Sequence, residues 1–559
     1  MAAPISRPLI EAWKVASEGR ANAVFHQVLA GVSIHGNTFS VTAVLRNAIR
    51  YADGIKNLSK LKAGDRVAML ADGFGEVVPL YYAFWLLGIT VVAIPNTTAP
   101  EVTVAHINNA GCRGLIYSPA LAARLASVLP KVSGIDFWLL VGVGRSGPLG
   151  SGGKTVTRLE DLLQNGSRNA KLEDYQTIKI ASDSPLLIAF TSGETGEPKG
   201  VGFTERALIT AANNQKGVYS IGTNAERCAS LLPDKHIVSI IHNIITPLVA
   251  PVTSVVLPEI DPNAKPGALV EELYDNQVHA LWMHEDRLED LRTASKSQKF
   301  VLAKNFKVFL IPRAPVSLKM LDGVGSFVVP CYAQTEAGGV VAVGKKGELM
   351  TSKSSTVERI PILSSGSAIP GVTIRVVASD DVDVKIGETG ELTVQSHQNM
   401  VGYMASAPGS AYVTPDNALH TGDRVQPVIA LDGSRHFVVL GRDDQFVVRN
   451  DKEVNIFELE SVIKRVVGVK DVRVVGFHHN FYGKELGAFV LLQKKANITR
   501  EVLWSNLLAF FPWELVPKIF MIADCSLVPQ LPTRIDIEDK LAKFASSDFS
   551  KPPPAAAHR

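Results

Sequence analysis

The chain has 559 residues, of which 46% are hydrophobic and 20% are charged, and its net charge at pH 7 is +3. This length predicts two or more domains, and the composition is that of a globular enzyme. The small net charge, without any block of Lys and Arg, argues against a nucleic-acid partner. The four cysteines lie far apart and form no CxxC pair, which favours reduced thiols in a cytoplasmic protein over disulfides or a metal site.

The first part of the chain alternates between helical and strand patterns. Apolar residues recur at helical spacing over residues 38–58, and a KAGD turn at 62–65 precedes the strand-like segment 66–70. A second strand-like segment, 90–94, follows the apolar residues 77–87. This alternation predicts parallel strands joined by crossover helices, which is the α/β class.

Two apolar stretches are long enough to be considered as membrane spans. Residues 77–95 and 237–258 contain no Asp, Glu, Lys or Arg, and a spanning helix needs about 20 apolar residues. The first stretch is interrupted by Gly88, and the second contains His242 and Pro247. We therefore predict that each is a buried helix followed by a buried strand, and we expect no membrane span.

The most informative segment is Phe190–Gly200, FTSGETGEPKG, which follows an apolar strand. Its glycines and hydroxylated residues leave backbone N–H groups pointing outward, and such a nest binds an anion. The spacing differs from the Walker pattern because Lys199 follows Gly196 by three residues, and a generic cluster of this kind would more often be a surface loop. The residues predicted to form this phosphate cradle are Thr191, Ser192, Gly193, Glu194, Thr195, Gly196 and Lys199.

This segment resembles the phosphate-binding loop TSG[ST]TGxPKG of the adenylate-forming superfamily, which includes acyl-CoA synthetases, peptide-synthetase adenylation domains and luciferases. Further motifs of that superfamily follow in its order, namely PDKH at 233–236, CYAQTE at 331–336, HTGD at 420–423 and GRDDQ at 441–445. The resemblance implies a large N-terminal α/β domain (1–441), a small α+β C-terminal lid domain (442–559) and a hinge at Asp444. By periodicity and composition, HTGD itself is predicted to be a turn.

The resemblance also implies roles around the nucleotide. Tyr332 and Ala314 would lie against adenine, while Asp423 and Arg442 would bind the ribose hydroxyls. A fixed carboxylate suits the ribose because it accepts strong hydrogen bonds.

Other implied roles concern the phosphates and the acid. Thr335 would contact phosphate, and Glu336 would hold Mg²⁺, a hard cation that prefers carboxylate oxygen. Lys199 would act in catalysis, and His236 would line the acyl pocket and gate the carboxylate, although a lone histidine is more often structural. Further candidates for the walls of the acyl pocket are Trp282, Met283 and His284.

Among the positions that depart from the family pattern, three bear most directly on the reaction. Glu194 stands in place of Ser or Thr in the cradle, and Asp451 stands in place of a glycine that helps to form the acceptor channel for pantetheine. In the last motif, Arg534 takes the place of the lysine that contacts the carboxylate and the α-phosphate, and it keeps the charge but not the shape. Like charges about 4 Å apart repel by roughly 4 kcal/mol near a protein surface, so Glu194 would slow adenylation if nothing offsets its charge. The alternatives are that its carboxylate points away, pairs with Lys199 or contacts Mg²⁺.

Three functions are compatible with this pattern. The first is an AMP-forming ligase that uses ATP, Mg²⁺ and coenzyme A to convert a small carboxylic acid into a thioester, with adenylation slow or delegated to a separate adenylating enzyme. The second is an amide synthetase, because Asp451 would tolerate an ammonium acceptor. The third is a protein that binds nucleotide or acyl-adenylate without turnover, against which the retention of Lys199, Glu336, Asp423 and Arg442 argues.

Overall fold

The structure is a computed structural model that describes residues 7–28, 37–71, 75–95, 98–142, 155–191, 198–219, 226–257, 267–295, 306–312, 316, 318–348, 351–353, 361–404, 412–449, 452–528, 531–532 and 534–549. The α-helices are α1 (Pro8–Arg20), α2 (Val41–Leu58), α3 (Val77–Leu86), α4 (Pro100–Asn109), α5 (Pro119–Leu125), α6 (Leu159–Asn165), α7 (Glu205–Gln215), α8 (Ile237–Ile240), α9 (Thr246–Val249), α10 (Ala268–Asp275), α11 (Leu288–Ser295), α12 (Ile456–Lys464), α13 (Arg500–Leu508) and α14 (Arg534–Leu541). A π-helix, Ile241–Ile245, joins α8 to α9.

The strands in the first half of the chain are β1 (Val24–Val28), β2 (Asn37–Ser40), β3 (Arg66–Met69), β4 (Thr90–Ala93), β5 (Gly114–Tyr117), β6 (Phe137–Leu140), β7 (Val156–Arg158), β8 (Pro185–Phe190), β9 (Gly200–Thr204), β10 (Glu226–Ser230), β11 (Val252–Val256) and β12 (Ala280–Met283). They are followed by β13 (Lys307–Leu310), β14 (Val328–Gln334), β15 (Gly339–Val343), β16 (Thr351–Lys353), β17 (Pro361–Leu363), β18 (Ser367–Ala368), β19 (Thr373–Val377), β20 (Gly390–Gln395), β21 (Gly402–Tyr403), β22 (Tyr412–Val413), β23 (Ala418–Ile429) and β24 (Arg435–Arg442). The last strands are β25 (Phe446–Arg449), β26 (Lys452–Asn455), β27 (Val469–His479), β28 (Gly483–Leu492) and β29 (Ile519–Asp524).

Two large, mainly parallel sheets form the core of the N-terminal part. One has the strand order β21-β9-β8-β4-β3-β5-β6-β7, and the other has the order β18-β15-β14-β13-β12-β10-β11-β1-β2. In β3, Val67 and Met69 pack into one hydrophobic core, whereas Ala68, together with Leu70 directly after the strand, packs into another. Both faces of this sheet are therefore covered, as parallel sheets require, and the predicted α/β class is confirmed.

Smaller sheets complete the chain. An antiparallel sheet contains β19, β20, β22, β23 and β24. After it come the hairpin β25–β26 and the sheet β27-β28-β29, which packs with α12, α13 and α14. This agrees with the small α+β part predicted for the C-terminus, while the boundary after residue 441 stays a prediction.

The two stretches without charged residues are buried, as predicted. All ten residues of α3 are buried, and β4 follows this helix. The second stretch forms α8, the π-helix, α9 and then the buried strand β11. Each large apolar side chain that is fully buried contributes about 1.5–3 kcal/mol. Within the described residues, no helix combines the length and the apolar character of a membrane span.

The prediction that HTGD is a turn was wrong. Residues 420–423 lie inside β23, which runs from Ala418 to Ile429. Gly422 has a φ of +71°, and the pairing of β23 with β20 shifts register between Glu391 and Thr393. A glycine at positive φ in an irregular strand pair is typical of a β-bulge, which redirects a side chain without ending the strand. The bulge therefore produces the local signal that resembles a turn.

A buried ion-pair network fastens the β25–β26 hairpin to the C-terminal sheet. Arg449 in β25 forms two-pronged hydrogen bonds of 2.8 to 3.0 Å with Glu485 in β28. Lys518 Nζ lies 3.9 Å from Glu485 Oε1 and donates to the carbonyls of Trp513 and Val516. Burial lowers the pKa of Lys518 to about 7, against the opposing effect of Glu485.

Candidate active site

Two antiparallel strands support the predicted phosphate cradle. Phe190 at the end of β8 pairs with Gly200 at the start of β9. The Thr191 N–H donates to the Lys199 carbonyl, and the Lys199 N–H donates to the Thr191 hydroxyl, both at 3.0 Å. These reciprocal bonds close the base of the loop and fix the backbone of Lys199. The residues predicted to form the rest of the cradle lie outside the described residues, namely Ser192, Gly193, Glu194, Thr195 and Gly196.

Glu336, the predicted metal ligand, lies in the turn between β14 and β15. Gly338 in this turn has a φ of +70°, and a Cβ there would stand 2.4 Å from the Gln398 carbonyl oxygen, so the turn requires glycine. Glu336 is 5% exposed. Its Oε1 accepts a hydrogen bond of 2.6 Å from the Tyr403 hydroxyl. Thr335, the predicted phosphate contact, precedes it and is half-buried.

Tyr403 connects Glu336 to Lys199. Lys199 Nζ lies 5.6 Å from the centroid of the Tyr403 ring, which is within the range of a cation–π contact. Tyr403 belongs to β21 and pairs with Val201 in β9, two residues after Lys199. The structure thus brings together two predicted site residues from separate motifs through a tyrosine to which the sequence analysis gave no role.

A second group of predicted residues lies at the start of β23 and the end of β24. Asp423 pairs in register with Arg442, and its Oδ1 is 3.6 Å from Arg442 Nη1. Its Oδ2 accepts a hydrogen bond of 2.5 Å from the Tyr332 hydroxyl. Gln334, two residues after Tyr332, donates to the Thr421 carbonyl at 2.9 Å. These bonds hold β14 against the bulged part of β23 and place a buried carboxylate next to a guanidinium.

The two tyrosines remain neutral donors. Burial, followed by the nearby Asp423 carboxylate, raises the pKa of Tyr332 well above its ordinary value. Burial and Glu336 likewise raise the pKa of Tyr403. Arg442 opposes both shifts, so its guanidinium acts on both carboxylate–tyrosine pairs. The predicted ribose group and the predicted metal ligand therefore share one electrostatic environment.

His236, the predicted acyl-pocket residue, caps the N-terminus of α8. Its Nδ1 accepts a hydrogen bond of 3.3 Å from the Val238 N–H, and its ring is perpendicular to that of His284 at 5.5 Å. His284 Nδ1 donates to the Ile311 carbonyl at 2.7 Å, since a carbonyl oxygen can only accept. Trp282 and Met283 are fully buried in two different cores. The structure thus brings the two histidines together and gives Trp282 and Met283 no accessible surface for an acid.

An aromatic cluster explains the burial of Trp282. Its ring is stacked between His242 at 4.1 Å and Phe309 at 4.2 Å, and its Nε1 donates to the Tyr219 hydroxyl at 3.0 Å. Burial lowers the pKa of His242 to about 3, so this imidazole is neutral. These side chains are buried and pack against one another in the core.

Arg534, the candidate for the last cationic position, is held within the C-terminal part. Its Nη2 is 3.0 Å from Glu460 Oε1, and its Nη1 donates to the Val474 carbonyl. Burial raises the pKa of Glu460, and Arg534 partly opposes this shift. The structure therefore pairs Arg534 with a buried carboxylate, and its contact with the acid and the α-phosphate stays a prediction.

An arginine joins the two sides of the predicted hinge. Asp444 lies in the short 3₁₀ turn Asp443–Gln445, directly after β24. Arg424 in β23 forms ion pairs with two carboxylates that flank Asp444 in the chain, Asp443 at 2.5 Å and Glu453. Its guanidinium lies 4.6 Å from the Phe446 ring centroid. Asp451, the predicted acceptor-channel residue, and Ala314, the predicted adenine contact, lie outside the described residues.

The carboxylates near the predicted site are compatible with the way in which proteins usually bind magnesium. No group of three His, Cys, Asp or Glu side chains able to hold a metal ion occurs among the residues that the structure describes. Mg²⁺ is usually bound by one or two carboxylates together with substrate phosphates and water, and does not need a cage of protein ligands. A single buried carboxylate with a fixed orientation, such as that of Glu336, fits this mode.

Comparison with known proteins identifies the family. A sequence model of the family described as AMP-binding enzyme matches residues 14–404. The indoleacetate–CoA ligase of Aromatoleum aromaticum is 26% identical over 330 residues, which are 56% of this chain and 58% of that protein. The long-chain-fatty-acid–CoA ligase of Salmonella typhimurium is 22% identical over 463 residues, which are 78% of each protein.

Solved structures with the same fold cover nearly the whole chain. ATP-bound MatB from Rhodopseudomonas palustris has a TM-score of 0.71 at 19% identity, over 97% of this chain and 100% of that chain. The amide bond synthetase McbA from Marinactinospora thermotolerans has a TM-score of 0.68 at 18% identity, over 92% of this chain and 96% of that chain.

Proposed function

Because the chain belongs to the AMP-binding enzyme family, we propose that it is an AMP-forming carboxylic acid ligase that makes an acyl-CoA thioester through an acyl-adenylate. The observation that carries the proposal is the arrangement of Lys199, Tyr403 and Glu336 beside Tyr332, Asp423 and Arg442. It provides a cation and a carboxylate on one side, and a buried carboxylate–arginine pair on the other. The names of the curated relatives as CoA ligases support the same conclusion.

The proposed reaction has two half-reactions. A carboxylate oxygen of the acid attacks the α-phosphorus of ATP, an acyl–O–P bond forms, and pyrophosphate leaves. The thiol of coenzyme A then loses its proton to solvent, its sulfur attacks the acyl carbonyl carbon to form a C–S bond, and AMP leaves with the electrons of the C–O bond. Both steps join anionic partners, so positioning and charge neutralisation provide most of the catalysis.

Each residue has a defined part in this proposal. Asp423, held by Tyr332, accepts hydrogen bonds from the ribose hydroxyls. Lys199 neutralises phosphate charge at the base of the cradle, and Glu336 would hold Mg²⁺, which would supply further neutralisation of the phosphate charge. The hydrogen bond from the Val238 N–H holds His236 at the start of α8, and from this position His236 contacts the acid.

We assign a slow first half-reaction to this chain. Arg534 is bound to Glu460 and to a backbone carbonyl, and breaking an ion pair that includes a buried carboxylate is strongly unfavourable. Glu194 adds a negative charge to the cradle. Both features act on adenylation, and neither touches the attack of the acceptor on a finished adenylate. A separate adenylating enzyme would bypass both.

The test separates the two half-reactions. The purified chain is incubated with Mg-ATP and a panel of small aromatic, fatty and dicarboxylic acids, and the products are identified by mass spectrometry. Synthetic acyl-adenylates are then supplied with coenzyme A. Thioester formation from a supplied adenylate, with little exchange of pyrophosphate into ATP, is expected. Fast pyrophosphate exchange would contradict the slow first half-reaction.

A second candidate is an amide synthetase, and Asp451 in the hinge motif favours it. A carboxylate at this position would attract an ammonium acceptor, whereas pantetheine has no need of it. The same adenylates are therefore offered with a series of amines. Amide formation without thioester formation would replace the first proposal by this one. Tight binding of nucleotide without product from either acceptor would instead indicate a protein that binds without turnover.

A further inference from the structure

We propose that Tyr403 is a positioning residue that orients the Glu336 carboxylate and keeps Lys199 and Glu336 from pairing with each other. The inference rests on the proposed function, because it takes Glu336 as the metal ligand and Lys199 as a phosphate ligand. No family motif in the sequence analysis assigned a role to this tyrosine. Its position follows from the fold, which places β21 beside β9.

The hydroxyl of Tyr403 fixes the carboxylate. It donates to Glu336 Oε1 at 2.6 Å, and Glu336 is almost fully buried. A hydrogen bond to an ionised acceptor is short and strong, so it selects one rotation of the carboxylate group. Residues that hydrogen-bond to a metal-binding carboxylate orient it for the metal, and their loss typically lowers metal affinity by 10- to 100-fold.

The ring of Tyr403 lies next to the lysine. Lys199 Nζ lies 5.6 Å from the ring centroid, and no ion pair joins Lys199 to Glu336, although both residues are described. A lysine and a carboxylate that share one tyrosine would attract each other at short range if the ring were removed. Such an ion pair would occupy both the carboxylate that the metal needs and the ammonium that the phosphate needs.

The backbone holds the ring in this position. The Met400 N–H donates to the Glu336 carbonyl at 2.8 Å, and the Met404 N–H donates to the Gly200 carbonyl at 2.7 Å. Residues 400–404 therefore connect the turn that carries Glu336 to the strand that follows the cradle. Tyr403 lies between these two anchors, so its location does not depend on its side-chain contacts alone.

Three variants separate the two effects. Tyr403→Phe keeps the ring and removes the hydroxyl, whereas Tyr403→Leu removes both. The double variant Tyr403→Leu with Glu336→Gln also removes the charge with which Lys199 would pair. Tyr175→Phe is the matched control, because the buried Tyr175 hydroxyl donates to the Ile49 carbonyl at 3.2 Å, away from the site.

The readout is ATP binding by calorimetry, once with EDTA and once in a Mg²⁺ titration. Tyr403→Phe is expected to raise the half-saturating Mg²⁺ concentration by about 10-fold or more and to leave ATP binding in EDTA unchanged. Tyr403→Leu is expected to weaken binding in EDTA as well, and Glu336→Gln in the double variant is expected to restore it. Tyr175→Phe should match the wild type in both conditions.

Two results with the Tyr403 variants would overturn the inference. One is a half-saturating Mg²⁺ concentration for Tyr403→Phe that equals that of the wild type. The other is a loss of EDTA binding in Tyr403→Leu that Glu336→Gln does not restore, since this would indicate a structural role only. A wild-type chain that binds Mg-ATP but forms no product from any acid would refute the proposed function. The ATP-binding data of the Tyr403 variants would still test the role of Tyr403. A wild-type chain that does not bind ATP would overturn both.

Discussion

Replacing Arg534 by lysine is expected to make the C-terminal domain less stable and adenylation faster. The Arg534 guanidinium binds two acceptors at once, the Glu460 carboxylate at 3.0 Å and the Val474 carbonyl. A lysine ammonium on a flexible stem lacks the planar fork that matches this pair of acceptors. Losing one hydrogen bond of a charged group lowers the free energy of unfolding by about 1.5–3 kcal/mol.

The same loss is expected to favour catalysis. In the proposed reaction, a cation at position 534 reaches the acid and the α-phosphate only after it leaves Glu460, so weaker retention should lower the barrier to adenylation. If half of the lost free energy appears in the barrier, the rate rises by about 4- to 13-fold, because each 1.36 kcal/mol corresponds to a factor of ten. Pyrophosphate exchange measures the rate, and scanning calorimetry with urea unfolding measures the stability.

Two variants control this experiment. Arg473→Lys changes another arginine of the same domain, whose Nη1 donates to the Pro532 carbonyl at 2.7 Å, and it should lower stability slightly without changing exchange. Arg534→Ala removes the cation altogether, so it should lose stability without gaining exchange. If Arg534→Lys left both stability and exchange at wild-type values, the idea that Glu460 withholds the cation would be refuted.

Three other predictions concern separate parts of the molecule. Asp423→Asn should weaken ATP binding by roughly 10- to 100-fold in calorimetry, because Tyr332 and Arg442 lose a charged acceptor, whereas Asp432→Asn, at an exposed ion pair with Lys345, should not. Glu194→Ser should speed pyrophosphate exchange by up to about a thousandfold if the carboxylate faces phosphate. An unchanged rate would show that Glu194 does not slow adenylation. Burial lowers the pKa of Lys518 to about 7 in the folded chain. Above that pH the unfolded chain therefore binds more protons at this lysine than the folded chain does. The free energy of unfolding should then rise from pH 7 towards 9.5 by up to about 1.4 kcal/mol per pH unit. Lys518→Met should reduce the rise of the unfolding free energy with pH, as measured by urea titrations. A rise of equal slope in the variant would show that other titratable groups cause it.

The parts of the site that local sequence determines could be predicted. The strand before the cradle is apolar, and glycines and hydroxyls follow it, so the end of this strand is visible in the sequence. The structure adds the reciprocal bonds between Thr191 and Lys199, which close that loop. The two charge-free stretches were likewise predicted correctly, because a glycine or polar residues interrupt each of them.

The contacts that join distant segments could not be predicted from the sequence. Tyr403 and Glu336 are 67 positions apart, and Tyr332 and Asp423 are 91 positions apart. No periodicity in either segment encodes which strand becomes its neighbour. The wrong assignment of HTGD has the same origin, because a bulge in β23 depends on the register of the partner strand β20.

The charged groups of the site differ in what a ligand must displace. Lys199 lies beside a neutral aromatic ring, and Glu336 accepts a bond from a neutral tyrosine hydroxyl. A phosphate or a metal ion can add to these two groups without separating opposite charges. Arg534 is different, since its partner Glu460 is a carboxylate that is mostly buried, and separating them leaves a charge without compensation in a medium of low dielectric constant. Nucleotide binding should therefore be close to normal for the family, and the departure of this chain from the family pattern should appear in the step that requires the cation at position 534.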